Sequence, residues 1–78
     1  MSEQEVLDFA VINGYMAVEK LPDWQGYEVY EPILSANNLS YSGAPYVILV
    51  NADAGEIRMS TEQEAYDNLE HIIGLEVG

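Results

Sequence analysis

Seventy-eight residues make one domain, and a chain without cysteine has neither disulfides nor thiolate metal sites to hold it together. Fourteen Asp and Glu stand against two basic residues, a formal net charge of −12 that repels DNA, RNA and anionic membrane surfaces. An apolar content of 49% is ample for a core and excludes a disordered chain.

The chain opens on Ser2-Glu3-Gln4-Glu5, the S-x-x-E form of a capping box, in which the Ser side chain and the Glu satisfy each other's backbone N–H groups. Val6, Phe9 and Ala10 follow at helical spacing, then Met16 and Ala17 beyond Asn13-Gly14. This predicts a helix from Ser2 to about Asn13, with Gly14 either ending it or lying inside a longer helix to Lys20. A strand through Phe9–Ile12 is the competing reading. Met1–Asp8 carries Glu3, Glu5 and Asp8 and no cation, the reverse of a secretory signal, and no run approaches the ~20 apolar residues of a membrane span. A cytoplasmic location is the expectation.

Leu21–Gly26 reads as a loop, because Pro22 and Gly26 both interrupt regular structure. Tyr27–Glu31 alternates as a strand, with Pro32 marking its end or an edge position. Ser35–Gly43 is polar and reads as a long loop, either a mobile one or a binding loop. Tyr46–Val50 is a continuous apolar, β-branched run, predicted to be central and buried on both faces. Asn51–Gly55 reads as a hairpin connection and Glu56–Met59 as the returning strand. Thr61 and Glu64 repeat the capping-box register at the head of a final helix. Its apolar positions are Ala65, Tyr66, Leu69, Ile72 and Ile73, and Gly74 reads as its stop. The expected fold is α+β: a small two-layer domain in which a three-stranded, mainly antiparallel sheet carries an N-terminal and a C-terminal helix on one face.

No residue pattern supplies catalytic machinery. The chain lacks a nucleophile motif and a phosphate-cradling loop, and His71 reads as a solvated residue on the polar side of the last helix. Asn51, Asp53, Gly55 and Glu62 mimic part of a calcium loop, but Glu56 stands where that loop needs its glycine. The expectation is a non-enzyme with no cofactor and no metal.

Charge and aromatic content point instead to a binding surface. Glu62, Glu64, Asp67 and Glu70 would form a carboxylate ridge opposite the apolar stripe of the last helix, with Glu28 and Glu31 adding charge from a strand. Trp24, Tyr27, Tyr30 and Tyr41 exceed what so small a core can hide and are the expected aromatic anchors of an interface. The partner would be a basic protein: a nucleic-acid-binding protein or nuclease complex whose Lys/Arg-lined surface the carboxylates cover, with no direct contact to nucleic acid or membrane. In size and charge, though in no motif, the chain is similar to small acidic phage-encoded inhibitors of host defence nucleases, which act as DNA mimics. The alternative is a structural or accessory module, a homodimer whose acidity only keeps it soluble.

Overall fold

The computed structural model describes residues 2–34 and 45–77. The elements run α1 (Glu3–Ile12), β1 (Ala17–Trp24), β2 (Tyr27–Ile33), β3 (Ile48–Asn51), β4 (Glu56–Met59) and α2 (Glu62–Val77). The strands form one antiparallel sheet in the order β1-β2-β3-β4. The α+β class and the helix at each end are those the sequence indicates. The sheet has four strands, not three.

The additional strand comes from a segment whose local signals are mixed. α1 begins as expected, with the Ser2 side chain accepting from the Glu5 N–H. It ends at Ile12, with Asn13 as its cap and Gly14 just beyond, and does not run on to Lys20. Gly14, at φ +93°, donates its N–H to the Val11 carbonyl, and Tyr15 donates to Ala10 at 2.9 Å. These two bonds satisfy carbonyls of the last turn and need a left-handed residue between them, a position glycine adopts without strain. The chain then reverses, and Met16 donates to Ile33 at 2.8 Å to open the β1–β2 ladder.

Pro22 is tolerated because β1 is an edge strand, so a residue without an N–H forfeits no ladder bond on the free side. The register shifts between Leu21 and Trp24, where β1 carries one residue more than β2. That bulge brings Trp24 to the same face as Leu21. The turn between β1 and β2 is only Gln25-Gly26, with φ of 51° and 83°. Two left-handed residues in a two-residue loop match the twist of the strands they join. A segment read as a loop is therefore most of a hairpin. Pro32 sits on β2 beyond the reach of β3, whose pairing with β2 stops at Tyr30.

β3 lies between two neighbours, and its side chains alternate into two clusters. Ile48 and Val50 join Val6 and Ala10 of α1 and Tyr30 of β2 on one face; Phe9, Tyr15, Val18, Ile57 and Met59 close around them. Val47 and Leu49 join Trp24 and Val29 on the other, flanked by Leu21 and Tyr27. The double-sided burial expected of this run is thus present from Val47 to Val50, but the strand begins only at Ile48 and Tyr46 is exposed. Each fully buried Ile48 or Leu49 contributes about 2–3 kcal/mol relative to exposure.

α1 covers the first face. Arg58 alternates with Ile57 and Met59, so it points to the second face, and there it meets Glu64 of α2. The second helix thus meets the sheet across from α1, so the sheet lies between the two helices and does not carry both on one face as the sequence suggests. Its start is held by a reciprocal pair: the Glu64 N–H donates to Thr61 Oγ1 at 3.2 Å, and the Thr61 N–H donates to Glu64 Oε1 at 2.8 Å. Ser60, just before it, is buried and exchanges bonds with Val47. α2 does not stop at Gly74 but continues to Val77. The 51–55 hairpin forms as read, with Asn51 Oδ1 accepting from the Ala54 N–H.

Candidate protein-interaction surface

Both basic residues of the chain are engaged within it. Lys20 pairs with Asp23 at 2.8 Å at the sheet edge. Arg58 grips Glu64 with both guanidinium nitrogens, each at 2.8 Å, and also donates to Tyr27 Oη at 3.2 Å while stacking 5.4 Å from that ring's centroid. A two-pronged, charge-assisted contact of this kind is among the stronger polar interactions available to a protein. It holds the Glu64 carboxyl at about 2, against an ordinary 4.5, chiefly through the Arg58 hydrogen bonds and then through the Thr61 N–H, with burial opposing. The same bonds raise the Arg58 guanidinium further above its usual range.

Glu64 is therefore a structural residue. It caps α2 and fastens that helix to the sheet, and it does not stand on the outward ridge to which the sequence assigns it. Glu62, Asp67 and Glu70 are exposed. Asp67 receives a hydrogen bond from Gln63 Nε2 at 2.9 Å, and on α1 Asp8 receives one from Gln4 Nε2 at the same distance. Each carboxylate accepts from a neutral amide one turn earlier, a contact that leaves its charge in place. Glu28 and Glu31 are half-buried on β2, on opposite faces of the strand, and so do not extend the α2 ridge as one surface. Glu31 stands directly opposite Glu19.

The aromatic residues are placed differently from the sequence expectation. Trp24 and Tyr30 are core residues, 8% and 7% exposed. Tyr27 is half-buried beneath Arg58, and Tyr41 lies outside the described residues, as does the Ser35–Gly43 segment. The bulge and the additional strand explain this: once Ala17–Trp24 joins the sheet, Trp24 has a face to pack on. The exposed tyrosines among the described residues are Tyr46 and Tyr66.

α2 is also rotated relative to the orientation its sequence suggests. Ala65 and Asn68 are buried, and His71 and Ile72 are half-buried beside them. Tyr66, Leu69 and Ile73 are 46%, 40% and 49% exposed. These three, with Glu62 one turn ahead, lie in one row along the helix at i, i+4, i+7 and i+11. The rotation has a visible cause. Arg58 draws Glu64 toward the sheet, and Asn68, one turn on, must follow it inward. The inward Asn68 leaves its Nδ2 without a hydrogen-bond partner among the described residues. Sequence reasoning missed this outward row because apolar periodicity alone gives it to the core.

Comparison with protein-family models, with curated proteins and with solved structures returned no match. Among the described residues no group of His, Asp and Glu is arranged to hold a metal, and no helix is long and apolar enough to cross a membrane.

Proposed function

We propose that the protein is a non-catalytic, acidic interaction protein that inhibits a partner by covering its basic, nucleic-acid-binding surface, in the manner of a DNA mimic. The observation that carries this reading is the treatment of charge on the two helices. Asp8 and Asp67 are positioned by glutamine amides where a lysine would neutralise them, and the only two cations are committed elsewhere. Exposed carboxylates held toward neutral amides and left without cations present a negative field. A Lys/Arg-lined groove is the complementary surface, and association with it would be fast and salt-sensitive.

The test is binding to a panel of DNA-binding proteins and nucleases with basic grooves, measured over a range of salt with duplex DNA as competitor. The expected result is a complex that weakens steeply with salt, is displaced by DNA, and is lost in an Asp67→Lys/Glu70→Lys variant that still folds. Asp67 and Glu70 suit this purpose because neither supports the fold as Glu64 does. Binding indifferent to salt, or unaffected by the double reversal, would refute the reading.

A further inference from the structure

Tyr66, Leu69 and Ile73 are exposed while Asn68, whose amide donor has no partner among the described residues, is buried on the inward side of the same helix. A helix free to choose its rotation would bury the aliphatic row and release the amide to water, since a buried unpaired amide group is unfavourable and exposed Leu and Ile forgo their burial. The Arg58–Glu64 pair and the Thr61 cap hold the opposite orientation. Local preference is overridden in favour of an apolar row facing outward, bordered by Glu62 and Glu70.

Resting on the proposed acidic-inhibitor reading, we propose that this outward row of α2 is the contact centre of the interface. Its occupant is a partner protein surface of amphipathic, cationic character: an apolar ridge rimmed by Lys or Arg. The apolar residues displace water at the centre, and the surrounding carboxylates pair with the cationic rim, the usual division between the core and rim of an interface. Charge argues against the other occupants. A second copy would bring Glu62, Asp67 and Glu70 against their equivalents, with Lys20 and Arg58 already engaged inside each chain. An anionic lipid surface meets the same repulsion.

The test uses two synthetic peptides of identical composition, about five helical turns long. One has Leu on one helical face and Lys elsewhere; the other has the same residues scrambled. Labelled peptide is titrated with the protein by fluorescence anisotropy, and amide shifts are mapped by NMR. The amphipathic peptide should bind about tenfold more tightly than the scrambled one, the amount expected for burying two half-exposed aliphatic side chains. A Leu69→Ser/Ile73→Ser variant should erase that difference and leave the scrambled peptide's affinity unchanged, while Asp67→Asn/Glu70→Gln should weaken both. Shifts in the wild-type chain should gather at 66, 69 and 73, a readout that needs no variant to fold. Equal binding of the two peptides in wild type and serine variant overturns the inference and leaves the inhibitor reading standing. So does clustering of shifts at Leu7, Met16 and Val18 between α1 and β1. Binding of neither peptide overturns both. A dimer seen by sedimentation equilibrium and dissolved by the serine substitutions assigns the row to a second copy and overturns the inference as well.

Discussion

Glu64→Gln isolates the charge in the contact that fixes α2. Glutamine keeps the side-chain oxygen that accepts from the Thr61 N–H, and a glutamine at this position still completes a capping box. What is lost is the charge that Arg58 grips. The folded carboxyl is displaced from 4.5 to about 2. At about 1.4 kcal/mol per unit, that displacement sets a ceiling of roughly 3.4 kcal/mol. The pair is partly solvated, with Arg58 42% and Glu64 27% exposed, so water and salt reduce the contribution to about 1–1.5 kcal/mol. The sign follows from the direction of the shift. A depressed carboxyl pKa stabilises the fold at pH above 4.5, and this stabilisation drains away as pH falls toward 2. The assay is urea unfolding followed by Trp24 fluorescence, Trp24 being buried in the folded chain. Wild type should exceed the variant by about 1–1.5 kcal/mol at pH 7, equivalent to about 4–12 °C in Tm for a domain of this size. The gap should narrow through pH 4 and 3 and nearly close at pH 2. Comparing two chains that share every other carboxylate cancels the general effect of acid on so negative a protein. A gap of constant size from pH 7 to 2 would refute an electrostatic origin, and no gap at all would refute the contact.

Three further substitutions test separate features. Gln25→Asn places the preferred residue at the first left-handed position of the β1–β2 turn, and thermal unfolding should show a gain of about 0.5–1 kcal/mol; a loss would mean the turn is not of this type. Asn68→Leu removes the unpaired buried donor and should raise the urea midpoint by the equivalent of about 1 kcal/mol, whereas a drop would show that the amide is paired in solution. Glu19→Lys replaces a like-charge pair with an attractive one opposite Glu31, stabilising by about 0.5–1 kcal/mol at low salt and less at high salt. A gain unaffected by salt would contradict that cause.

The legibility of the sequence followed the strength of each local signal. The strand within Tyr46–Val50 could be placed because an apolar, β-branched run has only the sheet centre to occupy, and both helix starts could be placed because their chemistry is contained in four residues, although only the second forms the reciprocal box. β1 could not. Its Pro22, its charged Glu19, Lys20 and Asp23, and a turn begun by glutamine each speak against a strand, and only pairing with β2 overrides them. The placement of Trp24 and Tyr30 depended on that pairing and went astray with it. The rotation of α2 was hidden for another reason: it is set by Arg58, which lies on a different element, and periodicity within a helix carries no information about such a partner. Asp67 and Glu70 were found because two exposed carboxylates three apart stay outside under either rotation.

Every strand in the sheet pairs with the strand next to it in the chain. No segment must cross over another before its partner is available, so each hairpin can close without waiting for distant parts of the molecule. Loop-closure entropy is then met in small steps, and folding of such a topology should be complete on the order of milliseconds. The sheet that carries both helices can therefore be built outward one neighbouring strand at a time.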